Sequence, residues 1–407
     1  MHWLIVEDSL ESRNGHWFDY LAGFCYELPK LGDSVELLVS HRAETFILDQ
    51  LKALPILPES VYQMKSGRDS QFSRYVRIPL HGFHTLCAIA KHLRNSKLPD
   101  VIFVPTVNVH HLIGWVLLVK CGLISAKSRL LLFFPSLPIQ TNNSHAAIDG
   151  SPTSKLIRWL IALLSKEIGA GRVLLGVETQ AMRKAAEAAF GSPFIYFPHP
   201  VEPSECHALD DSMSGIPVLT MACYGSARHE KGSELLVEGI EKYLLRFHEI
   251  PICFVIQWID GFRMPSGAVS KFPNTLKENS RVKLINRCFE EGEYAKQLAS
   301  THVLLLPYRR SSYNLRLSRI VIEALINGIP VMVTEGTTLA EQAQEYGVPI
   351  LCKDEDIDSI TKAIDEIINN YDSVALESRK KMPAARRHFS VANFRNIIFS
   401  PSRSYES

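Results

Sequence analysis

The sequence has no cysteine pair at metal-binding spacing and no long apolar run. Its eight cysteines are scattered over 407 residues without a Cys-x-x-Cys motif, which argues against structural disulfides and zinc and is typical of a reducing cytosol. The longest apolar run, residues 112–119, is far shorter than the ~20 residues of a membrane-spanning helix. The N-terminal segment MHWLIVEDS lacks a basic region, so we expect a strand there and not a signal peptide.

Neither sign of charge dominates, since 44 Lys and Arg oppose 43 Asp and Glu. This balance, with 46% hydrophobic residues, excludes a disordered chain and a general nucleic-acid binder. The distribution is nevertheless uneven, because residues 65–184 carry 16 basic and 5 acidic side chains. Two explanations stay open: random clustering on a solvated surface, or a basic face that docks on anionic lipid or on an anionic acceptor.

The first half of the chain alternates short apolar strands with amphipathic helices. We expect strands at residues 2–7, 34–40, 101–106, 129–135, 172–177 and 193–198. The apolar spacing predicts helices over 16–31 and 110–121, and the polar stretch 136–154 is expected to be a mobile loop. Strands that alternate with helices predict a parallel sheet covered on both faces, with ligands at the carboxyl ends of the strands.

The same pattern restarts after residue 216. Strands are expected at 217–225, 252–258, 281–287, 303–307, 331–334 and 349–352, with helices over 231–247, 291–300, 317–327 and 356–369. Residues 201–216 show little periodicity and are interpreted as a linker. We therefore divide the chain into domains at 1–200 and 217–375, and expect the C-terminal segment 376–407, with a short helix at 390–398, to cross back to the first domain.

Two cations follow a glycine directly after the first strand of the second domain: Gly225, Arg228 and Lys231. Glycine permits close approach of the backbone, and an arginine fork beside a lysine point charge suits a diphosphate. The residue order of a Walker loop is absent. A surface turn with solvated charges is the simpler alternative.

The helix predicted at 317–327 faces a polar turn with its N-terminus, where free N–H groups and the helix dipole favour an anion. Glu323 is an isolated carboxylate in the run IVI-E-AL, for which a nucleotide ribose is a candidate partner. An ion pair with Arg319, four residues earlier, is the ordinary alternative. Arg316 and Ser318 are candidate phosphate donors, although a serine here also suits a helix cap.

In the first domain the candidate cleft residues are Gly15, which closes the first turn, and His16, His110 and His111, which lie at expected strand ends. Ordinary structural or solvent-facing roles are the alternative for each. The sequence has no His-x-Glu or His-x3-His spacing and no Gly-x-Ser-x-Gly elbow, so we expect neither protein-bound zinc nor a nucleophile of that kind.

The helical segment 154–168 places leucines and Trp159 on one stripe beside Lys155, Arg158 and Lys166. Core packing explains the stripe, and interfacial membrane binding is the alternative.

Four segments together resemble the GT-B glycosyltransferases of the family 4 type. They are GSARHEKG, LPYRRSSYNLRLSRIVIEALINGIPV, ETQAMRKAAE with FPHPVEP, and LIVEDSLESRNGHWFDYLAGF. The resemblance covers nearly the whole chain, and the C-terminal segments carry its specific motifs. It implies an α/β fold of two Rossmann-like domains whose parallel sheets face a central cleft. The C-terminal domain would hold a nucleotide-sugar donor of the UDP or GDP type, and the N-terminal domain a hydroxyl acceptor.

The resemblance also implies roles for individual residues. Arg228 and Lys231 match the pair that holds the donor diphosphate and acts in catalysis, with Gly225 beside them. Glu323 matches the second of two paired glutamates and would bind the ribose. Ser318 and the amides that follow match the helix start that holds phosphate.

This chain departs from the family pattern at two positions. The first of the paired glutamates would stand eight residues before Glu323, where the sequence has Leu315. Tyr313, Arg316 and Ser318 are candidates for part of its role. The histidine of a His-Asp pair after a first-domain strand is also absent from the corresponding stretch, LLFFPSLP.

The sequence therefore predicts a retaining glycosyltransferase of the hexosyltransferase type, with same-face attack and neither a covalent intermediate nor a tightly bound cofactor or metal. Its acceptor would be a glycan, a lipid-linked glycan or a small molecule, in polysaccharide or glycan assembly. We expect a cytoplasmic protein, with the inner face of a membrane as an alternative location. A non-catalytic GT-B homologue that binds a sugar nucleotide or a partner protein is the main alternative function, and a sugar-nucleotide epimerase is a weaker one.

Overall fold

The computed structural model describes residues 1–13, 17–60, 71–142, 145–203, 218–247, 251–259, 261–290 and 292–399. Contacts divide the chain into two compact units, Met1–Pro200 with Ser390–Ser407, and Val201–Phe389. None of the seven cysteines in the described ranges forms a disulfide. Within the same ranges, every helix is too short or too polar to cross a bilayer.

The first unit contains a parallel sheet with helices packed on it. Its strands are β1 (His2–Glu7), β2 (Ser34–Ser40), β3 (Leu54–Leu57), β4 (Val101–Val104), β5 (Arg129–Phe133), β6 (Ile139–Asn142), β7 (His145–Ile148), β8 (Val173–Val177) and β9 (Ile195–Tyr196). Its helices before the second unit are α1 (Trp17–Lys30), α2 (Thr45–Leu51), α3 (Gln71–Asn95), α4 (Val109–Lys120), α5 (Pro152–Leu163), α6 (Ser165–Gly169) and α7 (Gln180–Phe190).

The second unit repeats this construction. Its strands are β10 (Leu219–Cys223), β11 (Ile252–Gln257), β12 (Val282–Ile285), β13 (Val303–Leu306), β14 (Val331–Thr334) and β15 (Pro349–Cys352). Its helices are α8 (Ser233–Arg246), α9 (Asn274–Lys277), α10 (Glu293–Ala299), α11 (Arg310–Tyr313), α12 (Arg319–Ile326), α13 (Thr338–Tyr346) and α14 (Ile357–His388). A single 3-10 turn, His229–Lys231, precedes α8.

Both main sheets are parallel throughout and doubly wound. The first has the order β3-β2-β1-β4-β5-β8-β9 and the second the order β12-β11-β10-β13-β14-β15. The first strand of each unit pairs on both sides, β1 with β2 and β4, and β10 with β11 and β13. The strand order reverses at these central strands, and the crevice at their carboxyl ends is the usual ligand position of such sheets. The two parallel-sheet α/β domains predicted from the sequence are thereby confirmed.

Several elements differ from their predicted form. Residues 136–154, expected to be a loop, contain the antiparallel hairpin β6–β7. Helix α3 and the pair α2–β3 lie where no element was predicted. Helix α14 does not end near residue 369 but continues to His388, through the proposed domain boundary at 375. Of the predicted linker, residues 204–216 lie outside the described part of the chain.

The last helix, α15 (Val391–Phe399), packs in the core of the first unit. The ring of Phe394 lies 4.9 Å from that of Phe24, 5.2 Å from that of Phe103 and 4.7 Å from that of Phe197, measured between centroids. Arg395 Nε donates to Asp33 Oδ2 at 2.6 Å. The C-terminal helix therefore completes the core of the unit that the N-terminal strand begins.

We expect Phe394→Ala to lower the free energy of unfolding by about 3–5 kcal/mol, because it opens a cavity among packed aromatic rings. Phe83→Ala is the matched control, since that ring is 56% exposed and its loss should cost less than about 1 kcal/mol. Urea denaturation followed by circular dichroism measures both. Equal stabilities for the two variants would contradict the assigned position of α15.

Candidate functional site

Two loops meet at the switch point of the second sheet. One follows β10 and contains Gly225, Arg228 and Lys231, and the other follows β13 and leads through α11 to α12. They are joined directly, since the backbone N–H of Arg309 donates to the carbonyl of Glu230 at 3.0 Å. The structure thus brings the predicted donor-site residues of the two loops to one edge of one sheet.

Two glycines allow the chain to fold this tightly. Gly225 has a φ of +93°, and a Cβ built on it would lie 2.9 Å from Lys231 Nζ. Gly232 has a φ of +62°, and its Cβ would lie 2.1 Å from the carbonyl oxygen of Pro307. The Gly225 amide also donates to Gln257 Oε1 at 2.6 Å. A larger residue at Gly232 would separate the two loops, whereas one at Gly225 would displace the Lys231 ammonium.

Lys231 is a half-buried cation without a fixed partner. Its ammonium lies 5.7 Å from the centre of the Tyr308 ring and makes no hydrogen bond or ion pair with any residue in the described ranges. Burial is the main cause that lowers the pKa of Lys231, and the charges of Arg228 and Arg316 add to it. A cation in such surroundings is stabilised by an incoming anion.

Arg228 is the exposed member of the pair. Its side chain is 56% exposed, and a guanidinium nitrogen lies 3.5 Å from Glu230 Oε1. Its backbone N–H donates to Ser233 Oγ at 3.0 Å, which fixes the chain just before α8. The guanidinium can therefore turn towards a ligand while its backbone stays in place.

Arg309 is a residue that the sequence analysis missed. It is buried, its Nε donates to Glu355 Oε1 at 2.8 Å, and another guanidinium nitrogen lies 2.8 Å from Glu234 Oε1. It also donates to the carbonyl of His229. These bonds hold the loop after β10 from the side of β13. The only sequence signal is a pair of arginines after a buried strand, and that pattern does not indicate which of Arg309 and Arg310 turns inwards.

The remaining donor candidates line the start of α12. Tyr313 is buried with its ring 4.6 Å from that of Tyr308, and the Arg316 guanidinium lies 5.2 Å from the Tyr313 ring centre. Ser318 occupies the N-cap position, but its hydroxyl accepts no backbone N–H of the helix. The capping role offered for the Ser318 side chain is therefore wrong.

Glu323 is held in place by two neighbours. Arg319 Nε donates to Oε1 at 2.9 Å, and the Tyr294 hydroxyl donates to Oε2. The ordinary ion pair considered for this carboxylate is thus present. Both bonds fix the orientation of the carboxylate. Its oxygens can each accept a second hydrogen bond, so a further contact to a ligand hydroxyl stays possible.

The first-unit candidates are more deeply placed than the sequence suggested. Gly15 and His16 lie outside the described residues. His110 and His111 are buried in the first turn of α4, and both backbone N–H groups face the Asn108 side chain that caps the helix. His111 Nε2 lies 3.0 Å from Asp8 Oδ2.

Ionisable groups cluster at the carboxyl end of β1. Burial, followed by the charge of Asp8, raises the pKa of Glu7 to about 7. Burial opposes ionisation of Asp8, but His111 and His81 lower its pKa below the usual value. Burial likewise opposes protonation of His111, whereas Asp8 raises its pKa. The sequence analysis missed Glu7, Asp8 and His81, because only the tertiary structure brings α3 and α4 to this strand end.

No protein-family model matches the chain, and no curated protein sequence matches it. Solved structures do match it. Anabaena HepE, crystallised with UDP and glucose, has a TM-score of 0.60 at 12% identity over 99% of each chain. Sucrose-phosphate synthase from Thermosynechococcus elongatus has a TM-score of 0.59 at 12% identity, over 100% of this chain and 98% of that one. A glycosyltransferase from Rickettsia africae has a TM-score of 0.63 at 11% identity, over 100% and 99%. This chain therefore shares the GT-B fold of these structures, and its assignment to family 4 stays a prediction.

We expect Arg309→Met to lower the free energy of unfolding by roughly 3 kcal/mol, because it removes the buried cation between Glu234 and Glu355 and leaves His229 as the remaining partner of Glu234. Arg310→Met is the control. The Arg310 side chain is exposed, so its loss should cost less than about 0.5 kcal/mol. Urea denaturation provides the measurement. If Arg309→Met is as stable as the wild type, the ion pair between Arg309 and Glu234 does not hold the loop after β10 in place.

Proposed function

We propose that this protein is a glycosyltransferase that moves a sugar from a nucleoside-diphosphate donor to a hydroxyl acceptor. The observation that carries the proposal is the Lys231 ammonium, which lies beside Gly225 at the switch point of the second sheet without a fixed partner. The fold supports it, since HepE has this fold and was crystallised with UDP-glucose. The calorimetric test below distinguishes a UDP donor from a GDP donor.

Lys231 and Arg228 would bind the two phosphates of the donor and act in catalysis. Cleavage of the sugar–phosphate bond leaves negative charge on the departing diphosphate, and cations fixed beside that charge lower the barrier. An ammonium without an ion pair and an exposed guanidinium with only a 3.5 Å contact to Glu230 are suited to this role, because neither must first break a strong ion pair. Transfer with retention of configuration, by attack on the same face, is the expected course.

The other donor contacts would come from the loop after β13 and from α12. Glu323, oriented by Arg319 and Tyr294, would accept hydrogen bonds from the ribose hydroxyls. Arg316 and Tyr313 would cover part of the role of the missing glutamate at Leu315.

The acceptor would bind to the first unit, near the carboxyl ends of β1 and β4. A glycan, a lipid-linked glycan or a small molecule with a free hydroxyl fits this role, in polysaccharide or glycan assembly. No nucleic-acid partner is proposed.

A non-catalytic sugar-nucleotide binder is the second candidate, and Leu315 is the residue that favours it. Binding of a nucleoside diphosphate would be common to both functions. Release of UDP or GDP from a sugar nucleotide, with or without an acceptor, would occur only in the enzyme.

Titration calorimetry with UDP, GDP and ADP tests the donor site. We expect one of them to bind, and Lys231→Met to weaken that binding by about 10- to 100-fold, as expected for a lost charge-assisted hydrogen bond. Lys277→Met, in an exposed position on α9, should bind like the wild type. Glu323→Gln should also weaken binding. Absence of binding for all three nucleotides would refute the proposed donor site.

We also propose a cytoplasmic protein that associates peripherally with the inner face of a membrane, and the exposed face of α5 supports the membrane contact. Trp159 is 58% exposed and Leu156 is 36% exposed, whereas Ile157 and Leu160 face the core. Lys155 and Arg158 lie on the same outward face of the helix, and Lys166 follows in α6. An indole beside several cations is suited to the interface of an anionic bilayer.

Co-sedimentation with vesicles tests this surface. We expect the protein to bind phosphatidylserine-containing vesicles and not pure phosphatidylcholine. Removing the three cations with Lys155→Gln, Arg158→Gln and Lys166→Gln should weaken binding by roughly 100-fold, at about 1 kcal/mol per charge. Leu245→Ala, at a 72% exposed position of the second unit, is the control. Equal binding to both kinds of vesicle would refute the proposal.

A further inference from the structure

Three side chains of metal-binding type meet at the switch point of the first sheet. Asp8 directly follows β1, His81 lies in α3 and His111 lies in the first turn of α4. All three are buried, and one potential ligand atom from each lies within 4.8 Å of the others. The residues are far apart in the sequence, so a search for short metal-binding motifs does not find them.

The distances suit a small divalent ion. Asp8 Oδ2 lies 3.0 Å from His111 Nε2 and 3.5 Å from His81 Nε2. A tetrahedral zinc ion with bonds of about 2.0–2.1 Å separates its ligand atoms by about 3.3 Å. The two imidazole rings are 6.0 Å apart between centroids and inclined by 54°, so an ion beside Asp8 can be reached by both rings without a change of backbone.

The orientation of His111 is the one that metal-binding histidines usually have. Its Nδ1 lies 2.9 Å from the carbonyl oxygen of Thr106. An N–H at Nδ1 that donates to this carbonyl leaves the lone pair on Nε2, the nitrogen that faces Asp8. Such a second bond fixes both the tautomer and the ring of a ligand histidine.

A small cavity, lined on its apolar side by Val6, Leu57, Val104 and Trp115, adjoins the cluster. Asp8 and His111 line it together with Thr85 and Thr106, and its volume is about 10 Å³. The buried Thr85 hydroxyl lines this cavity and has no hydrogen-bond partner in the described part of the chain. A cavity of this size is at the lower limit for one water molecule, and that water would supply a fourth ligand.

We propose that Asp8, His81 and His111 bind one divalent transition-metal ion, for which zinc is the probe. Two imidazoles and one carboxylate are a ligand set that suits zinc and other borderline divalent ions. The Asp8–His111 ion pair holds two of the ligands near their positions beforehand. His81 Nε2 donates to the carbonyl of Glu59 at 2.8 Å, so His81 would give up this bond and its proton to bind the ion through that nitrogen. The ion would replace the proton shared between Asp8 and His111, and would tie β1 to α3 and α4.

Metal analysis of the full-length protein tests the proposal. After equilibration with micromolar zinc and removal of free ion, we expect one zinc per chain in the wild type. His81→Gln and His111→Gln should each weaken zinc binding by at least roughly 100-fold, because each removes a direct ligand. His84→Gln is the matched control, since this histidine is exposed on the same helix as His81 and should leave the stoichiometry unchanged.

Two further measurements do not depend on how well the variants fold. Cobalt bound to the wild type should show the visible absorption of a four-coordinate site, and zinc should raise the thermal unfolding temperature of the wild type and of His84→Gln. The proposal would be overturned if the wild type held no zinc. It would also be overturned if His81→Gln and His111→Gln held as much zinc as the wild type. None of these readouts depends on glycosyltransferase activity.

Discussion

The reversal of strand order at the centre of each sheet determines where this protein can hold charged groups. At β10 and β13 the neighbouring connections leave towards opposite faces, so their carboxyl ends border an open crevice that loops line. In the second unit the loops carry Gly225, Lys231 and Arg309 into that crevice. In the first unit the same position, at the end of β1, holds Asp8 and His111. Ionisable side chains are thus concentrated at two equivalent places of a repeated architecture.

The cost of burying charge then separates residues that support the site from residues that can bind a ligand. Arg309 has carboxylate and carbonyl partners for its guanidinium, so its charge stabilises the loop and is unavailable to a ligand. The Lys231 ammonium lies near an aromatic ring and makes no ion pair within the described residues, and its lowered pKa reflects partial burial and the charges of Arg228 and Arg316. A buried cation without a counter-ion is unfavourable unless something else supplies the anion. This contrast makes Lys231 the residue on which the proposed donor site depends.

Apolar periodicity was sufficient to predict every strand of the two main sheets except β3, and most of their covering helices. It failed where the pattern is weak or where pairing is non-local. The hairpin β6–β7 is polar, so only its cross-strand pairing shows that it is a pair of strands. Helix α3 contains Pro79 and Gly82 and several histidines, which obscure its periodicity. Helix α14 continues beyond residue 369, its predicted end, because no glycine or proline stops it there.

The sequence by itself determined the alternation of strand and helix, and with it the doubly wound sheets. Since strand ends are local features, it also placed the candidate cations after β10, at the edge where such sheets usually bind ligands, and Glu323 in the helix that follows β13. Tertiary structure alone decided which charges are already paired, so that Arg309 turns inwards and Glu323 is held by its neighbours. It also decided that Asp8, His81 and His111 meet. The reason is that contacts between elements depend on how helices pack on a sheet, which no local periodicity specifies.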